Sequence, residues 1–486
     1  MNLVEFLESS TKNTLDNVAL IEDANKVTYC KLWENVSKIA QGFLNLRIHE
    51  GDRIAIGLPN CIEYVYVFLA ALKINAVVVP LKQSATTYEL RKIIKKTKPT
   101  LFIIDNRYLK KLLSFVPDNR IGNLVISSKR VMMKYLSQRV VTIESLIKNN
   151  DGLGRESLTN DNTLASINFT YRGCGEPLGV MLSHSNYRWG IDTYIKRTEM
   201  QLVKKMLLVL PFAHIFPLLG CLLVPLSLGA TVVIMKRPNP RGALSLIESL
   251  QINMFASVPS FYIMLLKVYD SKRYNVTSLY QCISGGSYLS EELYNEVKEK
   301  IGWDICQGYG LTECMPIICN PLEKNKPTSL GNPRGDVKVE IKIVGEDGSE
   351  KGVNEEGEIV VRGKTVMKGY YKNEEATRSA LKNGWLFTGD YGYFDDEGYL
   401  YMVGRKKLIT KVGGNAVDLN EVKSVMLSFP DVTKAMVYFN KDELWESLVY
   451  AKIRVKNPNS FDVQKLRRFL RKRLSSYKVP RIKIVE

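Results

Sequence analysis

The stretch INFTYRGCGEPLGVMLSHSN, residues 167–186, decides how the rest of the chain is read. An apolar run enters a turn holding Gly173, Gly175 and Gly179, and polar residues then open the next element. That is the outline of a phosphate-binding loop. Its side chains are sparse for the task. The loop has no lysine, Thr170 and Tyr171 carry its only hydroxyls, and Arg172 and Leu178 stand where small or cationic residues are expected.

The sequence on either side alternates strand and helix. DRIAIGLPN (52–60) reads as a strand into a turn, CIEYVYVFLAALKIN (61–75) as a helix and AVVVPLK (76–82) as a second strand. The helix SATTYELRKIIKKTK (84–98) then leads to the strand TLFIID (100–105). This rhythm predicts parallel pairing and a doubly wound α/β sheet. Further on, VKVEIKIVGEDGSE and GEIVVRGKTVMKGYY alternate around turns rich in Gly and Asp, as antiparallel hairpins do. A short β/α unit follows GYLYMVGRKK (398–407).

A chain of 486 residues, 45% hydrophobic and 24% charged, is globular rather than disordered and too long for one ordinary domain. Eight cysteines form no CxxC pair, and the three histidines stand at 49, 184 and 214, so no dense metal-ligand set is visible. Reduced thiols and an N-terminus without an apolar signal core predict a cytoplasmic protein. Residues 206–235 carry no charge apart from His214 and are long enough for a bilayer span. Pro211, Pro217, Pro225, Gly220 and Gly229 interrupt them, which predicts strand, short helix and strand inside an α/β core. The net charge is +18, and residues 401–486 carry 19 basic and 8 acidic residues, or +11 of it. Such a surface suits anionic partners: a polyphosphate ligand, acidic lipid headgroups met peripherally, or nucleic acid. The helix SFDVQKLRRFLRKRL (460–474) offers the plainer account of a solvated basic face, because its arginines mostly lie off the stripe Val463, Leu466, Phe469, Leu470 and Leu474.

Over nearly its whole length the chain resembles the adenylate-forming superfamily of acyl-CoA synthetases, AMP-forming ligases and luciferases. The matches come in that family's order: GDRIAIGLPN with VVVPL, the loop at 169–180, LPFAHIF (210–216) and SGGSYLS (284–290). QGYGLTE (307–313), GEIVVRG…MKGYY (357–371), GWLFTGD (384–390), DEGYLYMVGRKKLI (396–409) and YKVPR (477–481) follow. The resemblance implies an α/β fold: an N-terminal domain, 1–404, of two doubly wound subdomains plus a β-barrel, and a small mobile α+β domain, 405–486. It also implies ATP or AMP, Mg²⁺, a carboxylic acid of fatty type, and coenzyme A or an acyl carrier protein as acceptor, with no nucleic acid.

Each matched site has a physical reading. Gly308 and Gly310, with Tyr309 between them, let a ligand approach the backbone. Thr312 suits a phosphate oxygen and Glu313 a Mg²⁺ bridging phosphates. Gly285, Gly286 and Ser287 let an adenine ring lie flat. Asp390 and Arg405 suit the two ribose hydroxyls as acceptor and donor. His214 is either a satisfied core histidine or part of the acyl pocket, and Phe212 and Pro259 either wall that pocket or belong to the plain core. Lys407 stands at the family's hinge, and the glycines at 413 and 414 where the pantetheine thiol arrives. In the loop, FTYRGCGEPLGV aligns with the family's YTSGTTGxPKGV. Thr170, Gly175, Pro177, Gly179 and Val180 are kept; Tyr171 replaces the serine, Arg172 the first glycine, Gly173 and Cys174 the two threonines, and Leu178 the lysine. Family members carry a further catalytic lysine some twenty residues beyond YKVPR, and this sequence ends at Glu486, so it either lacks that lysine or is a fragment. The expected function is an AMP-forming acyl-CoA synthetase whose adenylation is impaired by the divergent loop. The alternatives are a ligase loading an acyl carrier protein and a non-catalytic relative that binds nucleotide or acyl-adenylate.

Overall fold

The computed structural model describes residues 1–115, 123–126, 141–153, 161–171, 175–198, 200–333, 338–405 and 409–485. Strands Arg53–Gly57, Val77–Pro80 and Leu101–Ile104 pair in parallel, with Ile54 between Val78 and Leu101, at the centre of an eight-stranded sheet. Their apolar side chains are buried almost without exception, the condition under which parallel strands form. The connecting helix Ile62–Lys73 is buried on nearly every side, so it shows little amphipathic patterning. Helix Thr87–Thr97 starts at a capping box: Thr86 Oγ1 accepts from the Glu89 N–H, and the Thr86 N–H donates to the Glu89 carboxylate at 2.8 Å. On the other side of Val77–Pro80 lies strand Leu164–Thr170, which folds back antiparallel onto Leu178–Ser183 with Thr170 opposite Leu178. The phosphate-type loop is the turn of that hairpin.

A second eight-stranded sheet carries the parallel strands Thr231–Ile234, Lys205–Leu208, Met254–Ser257, Gln281–Ser284 and Ile305–Leu311. Strand Val18–Glu22 joins its far side, with Ile21 opposite Val233. The uncharged stretch folds as the prolines predict: a strand, a helix over Pro217–Leu223 and Val224–Ser227, and a strand. Among the described residues no helix is long and apolar enough to cross a membrane. An antiparallel five-stranded sheet, Val339–Val344 to Leu400–Arg405, supplies the expected barrel element as a half barrel.

The C-terminal module has a core of its own. Hairpin Ile409–Val412/Asn415–Asp418 precedes helix Leu419–Leu427 and a three-stranded sheet of Val432–Asp442, Glu446–Val455 and Arg481–Ile484. Helix Val463–Arg471 buries Leu466 and Leu470 there, with Leu474 just beyond its end, while Arg468 and Arg471 face water. A large α/β body and a small α+β module are thus the two parts of the molecule.

Candidate nucleotide and acyl site

The carboxyl ends of strands from both large sheets converge, as ligand sites in open α/β sheets do. Lys82 follows strand Val77–Pro80, Thr170 ends strand Leu164–Thr170, and His214 lies in the segment after strand Lys205–Leu208. Gly286 follows Gln281–Ser284 with φ at +79°, a conformation that glycine adopts without strain. Thr312 and Glu313 form the two-residue turn between Ile305–Leu311 and Cys314–Cys319. These residues, together with Asp390 of Trp385–Phe394 and Gly413 and Gly414 of the C-terminal hairpin, line one cleft of about 1270 Å³.

Both acids are buried and oriented by tyrosines. The Tyr309 phenol donates to Asp390 Oδ2 at 2.7 Å, and the Tyr370 phenol donates to Glu313 Oε1 at 2.6 Å. Lys82 and Lys411 also line the cleft. Burial, followed by the like charge of Lys478, pushes the Lys82 ammonium down to about 8. Burial, then the cations Lys82 and Lys411, holds His214 well below its ordinary value, so it is neutral at pH 7 and able to accept or donate a hydrogen bond. The cleft therefore offers acceptors held by tyrosines, two ammonium groups and a neutral imidazole, a set that matches a ligand with hydroxyls and oxyanions together. Among the described residues no group of three or more His, Cys, Asp or Glu is poised around a metal. A divalent cation at Glu313 would take one protein carboxylate and complete its shell from a bound phosphate and water.

Gly285, Gly308 and Tyr309 line a narrow adjoining crevice, which shares Gly286 and Gly310 with the cleft. Tyr194, Phe216 and Met315 fill its walls. A Cβ on Gly285 would lie 3.0 Å from the Phe216 ring, and one on Gly310 2.6 Å from Met315 Sδ. Among the described residues the Ser287 hydroxyl has no hydrogen-bond partner. Gly175 does not line the cleft; its N–H donates to Asp418 Oδ2 at 2.7 Å.

Of the residues weighed for the acyl pocket, Phe212 and Pro259 do not line the cleft. Phe212 donates its N–H to Asn60 and stacks on Tyr64 at 4.9 Å between ring centroids, while its neighbours Pro211, Ala213 and His214 face the cleft. Pro259 is buried as the first residue of helix Pro259–Leu266, and the preceding Val258 supplies the wall. Arg405 pairs through its backbone with Asp390; its side chain, like Arg172, Gly173 and Lys407, lies outside the described residues. The motif reading did not single out Lys82, Asn168 or Lys411, all of which line the cleft. Lys82 was open to detection, since a lysine directly after a buried parallel strand stands where such sheets bind ligands.

The profile of the AMP-binding enzyme family matches residues 7–371. A long-chain-fatty-acid–CoA ligase of Bacillus subtilis is 28% identical over 99% of this chain and 90% of its own length. A 4-coumarate–CoA ligase of Humulus lupulus is 29% identical over 93% and 84%. Among solved structures, the o-succinylbenzoate CoA synthetase of Bacillus subtilis, a double mutant bound to a product analogue, superposes with a TM-score of 0.85 at 26% identity, covering 99% of this chain and 94% of that one. An amide bond synthetase of Marinactinospora thermotolerans shares the fold with a TM-score of 0.88 at 22% identity, covering 100% and 96%. With a family profile spanning three-quarters of its residues and the family's fold throughout, the chain belongs to the AMP-binding enzymes.

Proposed function

We propose that the chain is an acid–thiol ligase that joins a carboxylic acid to AMP and passes the acyl group to coenzyme A. The observation that carries this reading is one cleft holding Thr170, His214, Gly310, Thr312, Glu313, Asp390 and Gly414, drawn from residues 244 positions apart between first and last (170 to 414). In the first step an acid oxygen forms a bond to the α-phosphorus of ATP and pyrophosphate leaves with the bonding pair. Lys82, on the wall of the cleft formed by the large body, can offset the charge on the reacting oxygens, and a preorganised donor of this kind is worth about 3–4 kcal/mol. Asp390, oriented by Tyr309, takes the ribose hydroxyls. Mg²⁺, when bound, would neutralise phosphate charge, and Glu313 is the residue to hold it. In the second step the thiol sulfur bonds to the acyl carbon, AMP leaves as its anion and the thiol proton passes to solvent or a neutral base; His214 is neutral at pH 7 and can take it.

Coenzyme A is favoured as acceptor by a groove between the two parts of the molecule, lined by Lys111, Arg467, Arg471, Lys472 and Arg481 without an acidic residue. Several guanidinium and ammonium groups in one concave surface suit a ligand carrying several phosphates. Leu178, at the place of the family's loop lysine, is 2% exposed in the core. Adenylation is accordingly the slower half-reaction.

The test supplies purified protein with short, long-chain and aryl acids, Mg·ATP and coenzyme A, and in parallel with synthetic acyl-adenylates and coenzyme A. Thioester is expected in both, faster from the adenylates. Silence of both assays across the panel, together with unimpaired AMP binding, would replace the ligase with a nucleotide-binding relative.

A further inference from the structure

Charged groups from the two parts of the molecule meet out of reach of water, in a cluster that the chemistry above does not use. Lys478 is 1% exposed; its Nζ lies 2.6 Å from Glu89 Oε1 and 2.9 Å from Glu421 Oε2, with the Tyr171 ring centred 4.0 Å away. Glu89 and Tyr171 belong to the large α/β body, Lys478 and Glu421 to the C-terminal module. Ser475 Oγ adds a 2.8 Å hydrogen bond to Glu89, and Thr86 Oγ1 donates to the Arg473 carbonyl at 3.0 Å. A few residues away, the Gly175 N–H is held by Asp418.

Burial alone would strip Lys478 of its proton, yet Tyr171, Glu89 and Glu421 facing it lift it well above its ordinary value, so it stays cationic. A buried cation shared by carboxylates of two separate cores has one satisfactory geometry. Displacing the module leaves buried charge uncompensated until water enters, so the seated arrangement is a discrete state and not one point on a continuum. That arrangement sets Lys411, Gly413 and Gly414 on the cleft wall and gives Asp418 a loop N–H that a polyphosphate would otherwise meet.

We infer that Lys478 is a positioning residue that, through Glu89, seats the C-terminal module in the arrangement serving thiol transfer and not formation of the acyl-adenylate. This rests on the ligase reading for its two half-reactions, but the seating itself is measurable without turnover.

The test uses the full chain and two readouts. In Lys478→Met, amide hydrogen exchange over 411–418 and 86–90 is expected to quicken by about tenfold or more, because losing one partner of a buried pair is strongly destabilising. Thioester formation from supplied acyl-adenylate should fall by a similar factor of about ten, with adenylate formation from acid and Mg·ATP kept within about threefold. Lys478→Arg, which keeps the charge, should recover part of the thioester rate. Glu89→Gln breaks the contact from the other side and keeps an acceptor for the Thr86 N–H, so it gives the same split should Lys478→Met not fold. Unchanged exchange in both variants, or parallel loss of both half-reactions, overturns the inference. If the unaltered chain turns over no acid at all, the ligase reading falls, and exchange alone decides whether Lys478 seats the module.

Discussion

Asp390 shows how far one side chain's surroundings can define its task. It is 2% exposed, receives the Tyr309 phenol and lies opposite Arg405 in the strand register, so it is fixed before any ligand arrives. Asp390→Ala is expected to weaken AMP by about 5- to 150-fold in calorimetry, the equivalent of about 1–3 kcal/mol for leaving a buried hydrogen-bond partner unmatched. Tyr309→Phe, which loosens the carboxylate without removing it, should cost less, about tenfold at most. Equal AMP affinity in Asp390→Ala and the unaltered chain would move the nucleotide elsewhere in the cleft. Asp390, Glu313 and Thr312 were legible in the sequence because each sits in a motif whose chemistry reads locally. Phe212 was not: the side chains of LPFAHIF diverge, and only the fold decides that Phe212 turns to Tyr64 while His214 turns to the cleft.

Two elements at the edge of the large body are joined by a histidine whose protonation works against folding. His184 opens helix His184–Arg197, is buried, and accepts the Leu3 N–H at 3.2 Å through Nδ1 at the start of helix Leu3–Ser10. Burial, then the nearby N-terminal ammonium, lowers it to about 4. In the unfolded chain it titrates near its ordinary value, so on falling pH the unfolded state takes up the proton first and stability is lost from about 6.5 down to about 4. The full loss is about 3 kcal/mol. Urea unfolding at pH 7 and pH 4.5 should show this drop in the unaltered chain and a shallower one in His184→Gln; identical slopes would mean that the histidine is protonated within the fold. Helices and parallel strands of this body were legible because apolar runs and interrupting prolines act locally. The pairing of Leu3 with His184 was not, since nothing near either residue announces a partner 181 positions away.

At the scale of the whole molecule, function depends on two cores brought edge to edge. Gly414 has φ at +75°, and a Cβ there would lie 2.8 Å from Val258 Cγ1 across the junction. Gly414→Leu should therefore reduce thioester formation from supplied acyl-adenylate by about tenfold or more, through strained backbone and lost approach. An unchanged rate would place the thiol's path elsewhere. The basic groove makes a separate claim: the KM for coenzyme A should rise with salt between about 0.05 and 0.5 M, as the screening length shrinks below about 10 Å, with little change in the KM of an uncharged-bodied acid. A salt-independent KM would remove Arg467, Arg471 and Arg481 from the acceptor site. The two-part architecture could be read from the shift to alternating hairpins and then to a basic β/α end. How the parts face each other could not, because Lys478 in YKVPR and Glu89 in TYEL each look like ordinary solvated charges until the chain is folded. The same long-range design has a consequence for synthesis on the ribosome. Strand Val18–Glu22 waits for Thr231–Ile234, with Ile21 and Val233 separated by 212 positions. At about 5–20 residues per second the early strand spends about 10–40 s without this neighbour, so for nearly half of its translation the nascent chain presents an apolar strand edge of the kind that holding chaperones cover.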